Sequence, residues 1–252
     1  MAATQIEVER DGAVVRLWLS RPEKHNPLGT ATLEQVVALY DSFATDFGVR
    51  VVVLGGRGPS FSAGADLTAP PGSEHMARRT GAGERERRWW SQLGRRAVEA
   101  IADAEVVTVA RLHGNVLGGG LCLAMACDFR LAAADARLGL PEVDLGLPLT
   151  WGGTARLVHE VGAARARQLI LLTDPVSGVE AAGWGLVHRA VPADELDAAV
   201  DDWAGRLAAK PESAVHMAKT QFRALSRRSG LGDTTETDGD LLLATGAGSA
   251  FA

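Results

Sequence analysis

Three short stretches carry residue types and spacings that could do chemistry. The first is Gly118-Gly119-Gly120, which follows a β-branched apolar run (residues 106–110) and a break at His113-Gly114-Asn115, and leads into an apolar segment ending at Asp128. A strand, a glycine turn and a helix start leave unpaired backbone N–H groups at the mouth of the turn. The helix dipole adds to their attraction for negative charge. The anion could be a phosphate, or an oxyanion that exists only during a reaction. The glycines are contiguous rather than G-x-G-x-x-G, a poor fit to a dinucleotide fingerprint, and no Gly-Lys-Ser/Thr follows as a P-loop needs. Taken alone, the triplet is equally a tight turn with close helix–strand packing.

The second stretch, Ala63-Gly64-Ala65-Asp66, is another small-residue turn after a strand, in which Asp66 could simply be a capping residue. The third is Glu142, which follows Pro141 between apolar residues; an isolated Pro-Glu is usually a solvated loop acid. His113, beside Gly114, reads as a hydrogen-bonded turn residue rather than a catalyst. No Gly-x-Ser-x-Gly elbow occurs, and the six histidines show no metal-ligand spacing, so no metal is expected.

The elements that must position these groups follow from patterning. Ile6-Glu7-Val8 and the run 14–19 flank Asp11-Gly12, a hairpin signal. Thr30 or Thr32 could cap a helix whose apolar face is Leu33, Val36, Val37, Tyr40 and Phe43 or Phe47. Val51-Val52-Val53-Leu54 reads as a short buried strand, residues 74–104 as helical, and 129–133 as a further strand. A second glycine-rich turn, residues 146–153, precedes a helix from Thr154. Helical segments follow around 163–172, 179–182, 196–208 and 213–225. Strands interleave with helices in the first 140 residues and helices dominate afterwards, an α/β core with a helical C-terminal part.

The 252 residues suffice for one large domain or two small ones. A net charge of −5 gives no reason to expect nucleic acid or an anionic membrane as partner. Arginines cluster between Arg78 and Arg96, leaving local anion binding open. Cys122 and Cys127 suit buried free thiols better than a disulfide framework or a zinc site. Charged residues near the N-terminus spoil any signal-peptide apolar region, and no apolar run approaches the ~20 residues of a membrane span. A cytoplasmic protein is expected.

In combination the fragments say more. Residues 61–67 (FSAGADL), then 113–120 (HGNVLGGG), then Leu140-Pro141-Glu142 resemble, in order and spacing, the crotonase family, the enoyl-CoA hydratase/isomerase superfamily. Supporting stretches are 21–26 (RPEKHN), 152–157 (GGTARL) and 181–187 (AAGWGLV), and the similarity runs from about Ile6 to Leu225. The resemblance implies an α/β, crotonase-like spiral of ββα units, here residues 1–190, with a helical C-terminal trimerisation region at 191–252. It implies a homotrimer or dimer of trimers, a coenzyme A thioester as substrate and no separate cofactor. By the same resemblance the backbone N–H groups of Ala65 and Gly119 bind the thioester oxygen. The segment containing Ala63, Ala65, Asp66, Leu67 and Thr68 runs along the CoA, and Lys24 and nearby arginines face its phosphates. Two preset donors would stabilise an enolate; losing one such donor typically costs ~2.7–4 kcal/mol of barrier.

The family's hydratases carry two glutamates. Glu142 occupies one of those positions; the other, two residues after the triple glycine, is Cys122. A thiol, with an ordinary pKa of ~8.5, is a poor replacement for a carboxylate. One carboxylate can still move a proton between two carbons on one face, so double-bond isomerisation or a specialised hydration is expected, with Glu142 as acid/base. The alternatives are another crotonase reaction (dehalogenation, decarboxylation or thioester hydrolysis) and a non-catalytic acyl-CoA binder. Trp89 and Trp90, with Met76 and Leu93 nearby, lie in the segment that shapes the acyl pocket in relatives, and Trp151 is comparable at the catalytic end. They are either pocket lining or core aromatics. The tail ends in 246–252 (GAGSAFA), where relatives usually continue with another helix.

Overall fold

The structure, a computed structural model, describes residues 5–73, 83–228 and 238–244. Met76, Arg78 and the tail 246–252 lie outside the described residues.

Two sheets organise the chain. The larger joins six strands in the order β1 (Ile6–Asp11), β2 (Val14–Leu19), β3 (Val51–Gly56), β4 (Val107–Leu112), β6 (Phe129–Ala133) and β9 (Arg189–Val191). The hairpin β1–β2 is antiparallel and every later pairing is parallel. β3 is buried along its whole length, as a strand covered on both faces must be. The smaller sheet pairs β5 (Asn115–Leu117), β7 (Arg137–Gly139) and β8 (Val176–Ser177).

The helices are α1 (Thr30–Ser42), α2 (Glu84–Ser91), α3 (Leu93–Ala102), α4 (Gly119–Ala126), α5 (Gly153–Arg167), α6 (Gly178–Trp184), α7 (Leu196–Ala208), α8 (Glu212–Arg228) and α9 (Asp238–Ala244). The unit that recurs is a strand of the large sheet, a short strand or bridge beside the small sheet, then a helix. β4, β5 and α4 make one such unit; β6, β7 and α5 make the next. In the earlier units single bridges replace the short strand: Leu28 pairs with Ala65, and Ser62 with Val116. This is the spiral of ββα units that the resemblance implies. α1, α3, α4 and α5 pack successively against one another, while α7 lies on the large sheet, burying Leu196, Val200 and Ala204.

Some local expectations change. Gly29, not a threonine, is the N-cap of α1. Thr30 and Thr32 are buried inside the first turn, and Thr30 Oγ1 instead accepts the Gly72 N–H at 2.8 Å. Of the two phenylalanines considered for the apolar face, Phe43 is buried and edge-on to Tyr40, whereas Phe47 is 83% exposed. The described part of the 74–104 helix is two helices broken at Gln92, and the stretch after His113 contains a strand, β5, rather than only a turn.

Candidate active site

The small-residue turn at 63–66 is pinned on both sides. Ser62 donates its N–H to Asn115 O and accepts from Leu117 N–H, both at 3.0 Å, which ties it to β5. Ala63 N–H bonds His25 O, and Leu28 N–H bonds Gly64 O at 2.8 Å while Asp66 N–H bonds Leu28 O at 3.1 Å. In a regular strand successive residues bond to alternate sides. Gly64, at φ +92°, breaks that alternation. Leu28 consequently takes the groups of Gly64 and Asp66 that flank Ala65. The Ala65 N–H therefore faces away from Leu28, and it has no hydrogen-bond partner among the described residues.

Side chains hold this turn from behind. Asn26 is fully buried; its amide donates to Arg57 O, Ser60 O and Phe61 O, and its oxygen accepts from Arg21 N–H. Asn26 and the preceding His25 both have left-handed backbones, at φ +55° and +58°, a conformation asparagine tolerates better than most residues. The Asp66 carboxylate pairs with Arg21 at 2.9 Å and accepts the N–H groups of Thr68 and Ala69 and the Thr68 hydroxyl. Burial alone would raise the Asp66 pKa, but the bonds from Thr68 and Arg21 bring it below the ordinary carboxylate range. Its side chain is therefore occupied by the turn itself. Ala63, Leu67, Thr68 and Lys24 are exposed along the same edge, with Lys24 ending the 3-10 turn Pro22–Lys24 next to His25.

The second turn is built from backbone. Gly118, at φ +50°, is the N-cap of α4 and donates its N–H to Gly139 O on β7 at 2.9 Å. Every residue of α4 is buried. The first amides of a helix have no partner in its own ladder, and Gly119, the first residue of α4, is buried. The two turns abut: a Cβ on Gly64 would lie 3.0 Å from Leu117 O, and one on Gly120 would lie 2.8 Å from Ser62 Cβ. Only residues without side chains allow this approach.

Glu142, just past β7, turns its carboxyl onto Gly118, where a Cβ would meet Oε1 at 2.6 Å. Oε2 is buried with no hydrogen-bond partner among the described residues. Burial raises the Glu142 pKa to about 7. A carboxyl poised near neutrality can both take and return a proton.

Cys122 lies one turn into α4 and is buried and free. Its thiol sits 3.9 Å from Thr150 O, and a Cβ on Gly153 would lie 2.9 Å from its sulfur. Burial, with the Glu142 and Asp238 carboxylates nearby, pushes its pKa well above the ordinary thiol value, against the opposing pull of Arg156. It is a neutral thiol at physiological pH.

The tryptophans separate. Trp151 is buried, with its indole against Gly119 and Gly94, where a methyl on either glycine would overlap the ring. Trp90 packs partly buried against the core. Trp89 is 58% exposed, with Arg96 stacked 3.8 Å over its ring. His113 bonds Gly58 O and Arg111, a turn residue as expected, and Asp144 accepts from the Thr173 hydroxyl. The structure thus brings the Ala65 turn, Gly119, Glu142, Cys122 and Trp151 together, with Lys24, Ala63, Asp66, Leu67 and Thr68 on or beside the Ala65 turn, and leaves Trp89 exposed at the surface. Arg21 and Asn26 entered the sequence reading only within the stretch 21–26, without the supporting roles seen here, and Asp238, whose carboxylate bonds Gly152 N–H, was not singled out. The signal for Asn26 is present in retrospect: an Asn-Pro pair at the end of a polar loop marks a turn. Among the described residues no group of three or more His, Cys, Asp or Glu could hold a metal ion, and no helix is long and apolar enough to cross a membrane.

Residues 9–249 match the family described as Enoyl-CoA hydratase/isomerase. A crotonyl-CoA hydratase of Syntrophomonas wolfei is 35% identical over 220 residues, covering 87% of this chain and 81% of that protein. A solved enoyl-CoA hydratase from Mycobacterium avium subsp. paratuberculosis superposes with a TM-score of 0.86 at 28% identity, covering 98% and 92% of the two chains. One from Bacillus anthracis does so with a TM-score of 0.78 at 31% identity, covering 99% and 92%. The spiral fold, the paired turns and these likenesses together establish that the chain belongs to the enoyl-CoA hydratase/isomerase family, the crotonase superfamily of acyl-CoA enzymes.

Proposed function

We propose that this protein shifts the double bond of an enoyl-CoA, with Ala65 and Gly119 N–H groups binding the thioester oxygen and Glu142 as the single acid/base. The observation that carries the reading is the pairing of an unpartnered, buried Glu142 oxygen with a neutral thiol at Cys122. The Glu142 carboxylate removes a proton from the α-carbon of a 3-enoyl thioester. The electron pair moves into the carbonyl, giving a dienolate whose negative oxygen the two amides stabilise. The same carboxyl returns the proton to the γ-carbon, which leaves the 2-enoyl product with no change in composition. Cys122 neither deprotonates water nor delivers a proton at neutral pH, which leaves all proton transfer to Glu142, and moving one proton between two carbons needs no second group.

Hydration is the second reading, because the Syntrophomonas wolfei relative is named a crotonyl-CoA hydratase. A panel of 2-enoyl-, 3-enoyl- and aryl-acyl-CoAs, with products read by mass, separates the two. Isomerisation rearranges the substrate at constant mass, whereas a gain of one water would overturn it in favour of hydration. The Glu142→Gln protein should bind the thioesters and lose turnover; a wild-type protein that binds without turnover would make the chain a binder. Lys24 and Arg21, beside the Ala65 turn, are the candidate contacts for a CoA phosphate, and Trp151, packed on Gly119, is the candidate aromatic of the acyl pocket. The exposed Met217, Phe222 and Leu225 on α8 support a homotrimer, which sedimentation would test. Residues 1–190 are read as the catalytic spiral and 191–252 as the helical region that completes the assembly.

A further inference from the structure

Trp151 has a backbone that needs explaining. It is a bulky residue at φ +58°, followed by Gly152 at φ +72°, so two consecutive residues adopt the left-handed conformation. Such a conformation at a large side chain persists only where its surroundings enforce it, and it recurs at functional sites. Here the turn places the indole against two glycines on different helices, Gly94 of α3 and Gly119 of α4.

The enforcing contact comes from far along the chain. Asp238, at the start of α9, is 8% exposed, and its Oδ2 accepts the Gly152 N–H at 2.6 Å. α9 is itself anchored on α2. Asp240 pairs with Arg88 at 2.9 Å, and Gly239 lies so close to Ser91 and Gln92 that a Cβ there would meet Ser91 Oγ at 2.6 Å. Gly152 belongs to the connection that ends on Gly153, whose flank touches the Cys122 sulfur.

We propose that Asp238 is a positioning residue for the oxyanion site: its carboxylate holds the Trp151–Gly152 turn so that the indole packs on the first turn of α4. The ring covers Gly119 with apolar surface, keeping water from competing for its N–H and fixing the direction of that donor. This rests on the role proposed above for the Gly119 amide. Asp238 acts as a hydrogen-bond acceptor and carries no proton in the reaction.

Four proteins test this: D238N, D238A, W151F and the D238A/W151F double variant. Near-UV circular dichroism of the ligand-free proteins reports the fixed indole. The band lost in W151F should also be lost in D238A and kept in D238N, whose amide oxygen still accepts. The carbonyl stretch of bound acetyl-CoA, labelled with 13C at the thioester carbon, reports polarisation by the two donors. Its downshift on binding should shrink in D238A and persist in D238N and in E142Q. In turnover, D238A should lower kcat by about 10- to 100-fold with KM within about twofold, the scale of a small misplacement of a catalytic group. D238A should add nothing further in the W151F background. A D238N protein as impaired as D238A would make the carboxylate a proton carrier and overturn the proposal. So would a D238A protein with an unchanged Trp151 band, or one that fails to fold. If the wild type neither binds acetyl-CoA nor turns over any thioester, the functional reading fails, and the dichroism comparison still decides whether Asp238 sets Trp151.

Discussion

The two adjoining turns of the site reach similar ends by different means. The Ala65 turn sits at the rim, half-exposed, and is held by side chains: the Asn26 amide, the Asp66–Arg21 pair and the Ser62 hydroxyl bonded to Asn26 O. The Gly119 turn lies in the interior and is held by close packing of glycines against Trp151, Ser62 and Glu142, with the Gly118 amide on β7. The first design tolerates a change of one contact because others remain. The second has no slack, since a single methyl group meets a ring or a carboxyl.

Substitutions should expose that contrast. The largest effect is expected at Gly119→Ala, where the added methyl overlaps the Trp151 indole. Overpacking of this kind costs ~1–3 kcal/mol, and displacing an oxyanion donor lowers kcat by about 10²–10³-fold. Thermal melts and steady-state kinetics on the same preparation check both. Retained kcat would mean that Gly119 is not a donor.

Asn26→Ala comes next and tests the other turn. It removes a buried amide that serves three carbonyls and one N–H, so a loss of about 2–4 kcal/mol is expected, since buried groups left unpaired cost ~1–3 kcal/mol each. Urea denaturation measures it. A cost under about 1 kcal/mol would show that the rim turn is redundantly held even at its centre.

Glu142→Gln has a pH signature. The Glu142 carboxyl has its folded pKa raised by burial from 4.5 to about 7. Between those values the folded state binds more protons than the unfolded state, so this group's contribution to stability falls as pH rises through that window. Glutamine titrates in neither state. The variant should match the wild type near pH 4 and gain relative to it above pH 7, by up to about 3 kcal/mol. In turnover, kcat/KM of the wild type should rise with pH and level off above about 7, because the base must be ionised.

The smallest effect is expected at Arg21→Ala. The guanidinium is a quarter exposed, solvent screens the pair, and Asp66 keeps its bonds to Thr68 and Ala69, so about 1 kcal/mol or less should be lost. An increase in KM for the CoA thioester beyond that would support Arg21 as a phosphate contact.

Much of the cleft was legible because backbone requirements select particular residues. Glycines at 64 and 118–120 marked turns, and Glu142 stood at the spacing expected of the family's acid. What Gly64 does with its freedom was not legible, because flipping the pairing side of Ala65 depends on Leu28 arriving as a neighbour. The cap of α1 was misjudged for a similar reason: Thr30 has the right chemistry for a cap, but Gly72 claimed its hydroxyl. Nor could spacing have linked Asp238 to Gly152 across 86 residues, or told Trp151, seated on two glycines, from Trp89, stacked under Arg96. Long-range packing decides such cases, and local pattern does not carry it.

The contact between the Cys122 sulfur and the flank of Gly153 bears on how this protein's chemistry could change over time. A glutamate at 122 would need room for a longer, charged side chain, and the space beside the sulfur is bounded by the Gly153 backbone and the Thr150 carbonyl. A Cys122→Glu substitution would press on residues 149–153. That loop carries Trp151 and is tied to Asp238. Accommodating a carboxylate at 122 would therefore draw on the same loop that seats the Trp151 indole.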